Sequence, residues 1–275
     1  MFFWKGAMKC ISRKDDPKIL AIRQLIDQRQ VRDRGRRFWC EGLRFAYKAL
    51  NSHFAVSEVV AAPELFTGQV GWRLLDQARE RCTRVTFVTK AVFQSLSEAP
   101  ECQGIGCIAS PKWDQLYDLT PDGVYIALDT IRSPGNLGTI LRTAESLGIA
   151  GLIVVGDTLD PFNPKVVRAT MGALFPLHYA RVSEAELAAW PRRNGVALIG
   201  SSPGAEIDCR RFAWPTRCIV WLGDERKGMS ETQLVSCDTV VKIPMAGQSD
   251  SLNVASAAAI LLWEATRAGP HLSGP

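Results

Sequence analysis

The chain has 275 residues, 47% of them hydrophobic and 22% charged, with a formal net charge of +5. That balance suits a folded globular protein and excludes a disordered chain; the mild basic excess permits a nucleic-acid partner without requiring one. No run approaches the ~20 apolar residues of a membrane span, and Met1 to Ala7, with Phe2, Phe3 and Trp4, is too short for a signal sequence, so a soluble cytoplasmic protein is expected.

Asp16-Pro17 reads as a cap and first turn, followed by a helix carrying Ile19, Ile22, Leu25 and Ile26 at helical spacing. The next stretch, Arg29 to Arg37, holds Arg29, Arg32, Arg34, Arg36 and Arg37. It is either a solvated helix end or a surface that tracks phosphates. Phe38-Trp39-Cys40 reads as a strand, and Glu41-Gly42 opens a helix through Leu43, Ala46 and Leu50. Val56 to Ala61, Arg84 to Val88 and Ile105 to Ala109 are further strands with helices between them, so residues 8–109 form a small α/β domain. Pro111, Pro121 and Gly123 mark residues 110–123 as a linker.

Beyond the linker the periodicity changes. Val124–Leu128, Gly151–Val155, Val196–Ile199, Cys218–Leu222 and Thr239–Ile243 are short apolar runs rich in Val and Ile. Helical patterns separate them at Thr139–Ser146, Pro164–Met171, Glu184–Trp190 and Ser251–Arg267. Buried strands alternating with helices imply a parallel sheet covered on both faces, here over residues 124–268.

The eight cysteines, Cys10, Cys40, Cys82, Cys102, Cys107, Cys209, Cys218 and Cys237, include no C-x-x-C pair. With only His53, His178 and His271 beside them, no metal constellation is expected, and reduced thiols are. There is no G-x-G-x-x-G after the first strand of the second domain and no P-loop signature, which disfavours nicotinamide and phosphate-loop chemistry. A serine hydrolase would need a histidine, and His178 is the single candidate near the sheet.

Ligands of an open parallel sheet sit beyond the carboxyl ends of its strands. Three strand exits there are rich in glycine and polar residues: Asp129–Gly138 with Asn136, Gly223–Gly228 with Glu225, and Pro244–Asn253 with Ser251 and Asn253. Glycine lets main-chain amides approach a ligand closely. Each polar side chain also has a plainer reading: Asn136 as a left-handed turn residue, Asn253 and Ser251 as helix caps, and Glu225 as a first-turn carboxylate.

The strings Ser133–Ala144, Leu222–Met229 and Ile243–Ile260 resemble, in order, the three motifs of the SpoU (TrmH) family of RNA 2′-O-ribose methyltransferases in the SPOUT superfamily. Arg168–Phe175 is similar to the segment between the first and second motifs, and Arg37–Gly42 to the entry of the family's accessory RNA-binding domain. Asp224 stands where that family usually has Asn, and Ala255-Ser256 where Ser-Val is commoner.

The resemblance implies a trefoil-knotted methyltransferase domain behind a small, ribosomal-protein-like α/β RNA-binding domain. It also implies S-adenosyl-L-methionine held largely by main-chain groups at Gly200, Gly223, Gly228, Ile243, Met245, Leu252 and Asn253. Asn136, Arg142, Glu225, Ser251 and Asn253 match the family's catalytic positions, and no metal is implied. Arg142 matches the residue proposed as the base, but a guanidinium stays protonated, so a phosphate-holding role is the better chemical reading. Arg132 and Lys165 are candidate RNA contacts. The implied assembly is a homodimer through the C-terminal domain, and the implied substrate is rRNA ahead of tRNA. A non-catalytic RNA-binding factor and a small-molecule methyltransferase are the competing readings.

Overall fold

The computed structural model describes residues 10–99, 101–116, 119, 123–156, 158–248 and 251–267. Met1 to Met8, Pro121 of the expected linker, Ser249 and Asp250 of the third loop, residue 268 and His271 lie outside the described residues. The chain divides into two compact units that are not contiguous in sequence: residues through Lys112 group with Asp160–Phe175, and Trp113–Leu159 group with the residues from Pro176 onward.

The first unit contains β1 (Cys10–Ile11), α1 (Pro17–Asp27), α2 (Arg29–Gly35), β2 (Phe38–Glu41), α3 (Leu43–Leu50), β3 (Ala55–Ala61), α4 (Val70–Glu80), β4 (Arg84–Val88), α5 (Lys90–Gln94) and β5 (Ile105–Ser110). The sheet order is β1-β4-β3-β5-β2, with β5 antiparallel to both neighbours. At the start of α1 the Asp16 carboxylate accepts the Lys18 amide at 2.9 Å, and Pro17 takes the first turn, where its missing N–H costs nothing. Ile19, Ile22 and Leu25 then bury one stripe of the helix against Trp39, Val60 and Ile108 of the sheet.

The second unit adds β6 (Trp113–Asp114), β7 (Gly123–Asp129), α6 (Pro134–Ser146) and β8 (Gly151–Val155). The chain then passes through α7 (Pro164–Ala169), which belongs to the first unit. It continues with β9 (His178–Val182), α8 (Glu184–Asn194), β10 (Ala197–Ser201), β11 (Ile207–Asp208), β12 (Arg217–Leu222), α9 (Glu231–Ser236), β13 (Thr239–Lys242) and α10 (Val254–Arg267). Its strands run in the order β11-β13-β10-β12-β7-β8-β9-β6, and every described pairing is parallel. The apolar runs of β7, β8 and β12 are buried along nearly their whole length, as a sheet covered on both faces requires. Helix α6 begins five residues before the expected Thr139, and the last helix begins at Val254 rather than Ser251.

The basic stretch fits neither of its expected meanings at Arg32. That side chain is 4% exposed. Its Nε donates to Asp160 Oδ2 at 2.7 Å, and its Nη1 donates to the carbonyls of Leu25 at 2.8 Å and Ile26 at 3.0 Å. It is therefore a buried structural cation, whereas Arg34, Arg36 and Arg37 are exposed. The Asp160 carboxylate also accepts the Phe162 amide at 2.9 Å, which sets the course of the following residues. Phe162 stacks on Phe38 with centroids 4.9 Å apart, and Phe175 meets Phe54 edge to face at 5.6 Å. The segment Asp160–Phe175 thus supplies an ion-pair partner and half of an aromatic cluster to the core of the first unit.

Removing one partner of a buried pair leaves an uncompensated charge. Asp160→Ala is expected to lower stability by about 3 kcal/mol, read as a shift in the urea midpoint at unchanged slope.

Candidate functional site

The three expected loops follow β7, β12 and β13 in the second unit. The first turns sharply at Thr130, whose φ is 48°. Its hydroxyl donates to Asp129 Oδ1 at 2.6 Å. The buried Gln233 amide holds the other Asp129 oxygen at 2.8 Å, and Ile131 N–H donates to the Thr158 hydroxyl at 2.9 Å. Ser133 then caps α6, with Pro134 in the first turn. Asn136 is therefore helical, not a left-handed turn residue.

In the second loop, Asp224 N–H donates to Gly228 O at 3.0 Å and Gly228 N–H returns to Asp224 O at 2.8 Å. Gly228 takes the positive φ of 71° that this tight closure demands. A Cβ on Gly223 would lie 2.5 Å from the Gly228 carbonyl group and the Met229 nitrogen, so glycine is obligatory there. Asp224 Oδ1 accepts the amides of Arg226 at 2.7 Å and Lys227 at 2.9 Å, and its Oδ2 accepts from Arg132 Nη2 at 3.0 Å. The carboxylate in place of asparagine thus gains an ion pair to the first loop.

Glu225 ties the site together. One carboxylate oxygen accepts the backbone amides of Arg132 at 2.8 Å and Ser133 at 3.1 Å, at the N-terminal end of α6. The other oxygen accepts from Asn136 Nδ2. Asn136 Oδ1 in turn accepts from Asn253 Nδ2 at 3.1 Å, and Asn253 Oδ1 accepts the Ala255 and Ser256 amides at 2.9 and 3.4 Å, capping α10. Glu225 is thus a helix-end carboxylate, but the helix belongs to another loop, 89 residues away at Asn136. Partial burial opposes ionisation of Glu225, but the two amides and Asn136 outweigh it and hold the carboxyl below its ordinary value. At Asp224 the amides of Arg226 and Lys227, together with Arg132, likewise outweigh burial.

Beside this chain of hydrogen bonds lies a cleft of about 250 Å³. Gly223, Glu225, Gly228, Ile243, Met245, Ser251 and Leu252 all line it, so seven of the expected site residues come together there. Asn136 and Asn253 join through Glu225. Asp224, Arg226, Lys227, Leu222, Ser201, Ser202, Pro203, Val254 and Ala257 complete the lining, and Ser201, Ser202 and Pro203 at the exit of β10 had not been singled out from the sequence. Gly200 is the residue before this wall; a Cβ there would meet Cys237 Sγ at 2.8 Å and Met229 Sδ at 3.2 Å, so its smallness serves packing under β10.

Arg142 stands apart from the cleft. It is exposed on α6 and lines a shallow groove with Thr139, Thr143, Ser146, Leu147, Ala259 and Trp263. Arg132 contacts Asp224, and Lys165 lies exposed on α7 in the first unit.

A family model described as the SpoU rRNA Methylase family matches residues 123–263, and one described as an MRM3-like substrate binding domain matches residues 16–107. Among sequence relatives, a 23S rRNA (uridine(2479)-2′-O)-methyltransferase from Streptomyces viridochromogenes is 38% identical over 152 residues, which is 53% of this chain and 53% of that protein. A putative TrmH family tRNA/rRNA methyltransferase from Staphylococcus haemolyticus is 30% identical across 70% of this chain and 81% of its own length. An AdoMet-bound rRNA methyltransferase structure from Sinorhizobium meliloti superposes with a TM-score of 0.86 at 32% identity, covering 95% of this chain and 98% of that one. With motifs, cleft and relatives in agreement, the chain belongs to the SpoU rRNA methylase family.

Proposed function

We propose that the chain transfers a methyl group from S-adenosyl-L-methionine to a ribose 2′-hydroxyl of RNA, with rRNA as the substrate class and tRNA as the second choice. The observation that carries this reading is the cleft walled by the loops after β10, β12 and β13, with Glu225 at its wall locking the first loop and Asn253 to it. Its residues fit the cofactor. Leu222, Ile243, Leu252 and Val254 offer apolar surface for an adenine, and the loop main chain bends closely around Gly223 and Gly228. When bound, S-adenosylmethionine supplies an electrophilic methyl group on a sulfonium.

The protein's own work is to orient the nucleophile and exclude competing geometry. Gly223, Gly228, Ile243, Met245 and Leu252 would hold the cofactor, with Gly200 keeping the floor beneath them thin. Asn136 and Asn253, each fixed by the other, and Ser251 at the cleft wall would direct hydrogen bonds toward the ribose. Arg142 holds the phosphate beside the target ribose, and that phosphate or an ordered water takes the proton.

Further parts of the reading rest on the resemblance. Trp263 is 50% exposed and Ile260 36% exposed on α10, next to the groove that holds Arg142. A second copy covering that face would form a homodimer in which Arg142 of one chain serves the cleft of the other. The trefoil knot accords with the strand order, since β12 lies between β10 and β7 while the chain returns past β10 to β13. Residues 8–109 act as the RNA-binding domain, 110–123 as the linker and 124–268 as the methyltransferase domain, in the cytoplasm.

Calorimetric titration with S-adenosylmethionine, and tritium transfer from it to rRNA, test the activity; absence of both would reject it. Arg142→Ala and Gly223→Val are each expected to abolish transfer, and the mixed proteins to regain about a quarter of the activity through hybrid dimers. No recovery would place Arg142 with its own cleft. Glu225→Gln is expected to lower kcat/KM about tenfold. Because the Glu225 carboxyl is held low, its bonds stabilise fully above the ordinary value of 4.5 and are lost as pH falls through the lowered value. The difference in melting temperature between wild type and Glu225→Gln should be constant above pH 4.5 and shrink below it.

A further inference from the structure

The first unit contains a second cleft, of about 290 Å³, at the exit of β2. Its apolar walls are Ile26, Trp39, Phe45, Leu96, Val167 and Met171. Its polar groups are of both kinds. Glu41 stands half-buried on one side, with the Ser97 hydroxyl donating to its Oε1. Burial pushes the Glu41 carboxyl up, even against that hydrogen bond. A carboxylate offers about four lone-pair directions, so Glu41 keeps capacity to accept more.

Residues with donor groups line the same space. Trp39 is 3% exposed, and its indole N–H has no hydrogen-bond partner among the described residues. That nitrogen is closed off from solvent, so an acceptor in the cleft meets it only when the ring shifts, and the cost of an unmade buried bond favours that shift. Gln103 spends its Oε1 on the Leu43 amide at 2.9 Å, which leaves its N–H₂ as the free end. Arg168 is held by the Glu98 carbonyl and carboxylate, each at 3.0 Å, and Arg44 is exposed. Both arginines line the cleft.

A flat heteroaromatic ring suits the walls, and the carboxylate selects among rings. On its pairing edge guanine alone of the four RNA bases presents two adjacent N–H donors to one carboxylate, with a carbonyl acceptor next to them. Adenine and cytosine set a ring-nitrogen lone pair against Glu41, and uracil flanks its single N–H with two carbonyls. We propose that this cleft binds one unpaired guanine base of the RNA substrate, its pairing edge donating to Glu41 and its acceptors facing Trp39 and Gln103. Arg44 takes the adjoining phosphate. This inference rests on the RNA-directed reading above and names a feature of the RNA that the first unit selects.

The test uses the full chain and fluorescein-labelled single-stranded uridine nonamers carrying one central guanosine, adenosine, cytidine or no replacement. Fluorescence anisotropy is expected to show the guanosine oligomer bound about tenfold tighter than the other three. Glu41→Gln, and independently Ala99→Phe, which fills the cleft from its wall, should erase that preference while S-adenosylmethionine titrates as in wild type. Equal affinities in wild type, or a preference retained in both variants, would overturn the assignment. So would displacement of the guanosine oligomer by free GMP at the oligomer's own Kd, which would make the cleft a nucleotide site. Guanine preference without methyl transfer rejects the proposed function and leaves the cleft assigned; methyl transfer without guanine preference rejects the cleft alone.

Discussion

The site depends on a single carboxylate serving as a common acceptor for groups far apart in sequence. Glu225 gathers the amides of Arg132 and Ser133 and the side chain of Asn136, and Asn136 passes the constraint on to Asn253. All three donors come from the first loop and the start of α6, just beyond the left-handed turn at Thr130. Without an acceptor, that segment would carry unpaired amides near an apolar cleft, an arrangement that proteins avoid. Charge-assisted bonds of this kind are stronger than neutral ones, which is why one residue suffices to align three strand exits. The cleft's shape is therefore a consequence of Glu225 more than of any other residue that lines it.

The parallel sheet beneath supplies the fixed base for that arrangement. Strands β7, β8 and β12 are buried along most of their length and pair in continuous register, so the points where the loops leave are rigid. Gln233, from α9, reaches Asp129 at the exit of β7 and also bonds Glu184 of α8 at 2.9 Å. Side chains on short helices thereby pin the strand exit from behind. The ion pair between Arg132 and Asp224 adds a tie on the solvent side, where screening makes it weak but still directional.

Local pattern made much of this legible. β4 and β8 have the bounds their apolar runs implied, and two of the three glycine-bearing loops line one cleft while the first is hydrogen-bonded to them. What escaped notice depends on partners distant in the chain. Arg32 belongs to a run that looks like exposed charge, and only the carboxylate of Asp160, 128 residues on, makes it a core residue. β9 was missed because His178 and Arg181 are exposed, which breaks the apolar run. α9 is six residues long, too short to show a helical period. Arg142 carries the family's motif, yet nothing in its spacing says that it faces a groove beside Trp263 instead of the cleft.

The Asp160–Phe175 segment has a consequence for how the molecule is made. When synthesis has passed Lys112, the first unit still lacks the carboxylate for Arg32 and the rings that cover Phe38 and Phe54. Roughly sixty more residues must emerge, several seconds at ordinary translation rates, before that core can close. During this interval a cation and aromatic surface destined for burial stay open to water, to chaperones and to other nascent chains. The N-terminal half is thus no independent module for transplantation, and its maturation is timed by the chain that follows it.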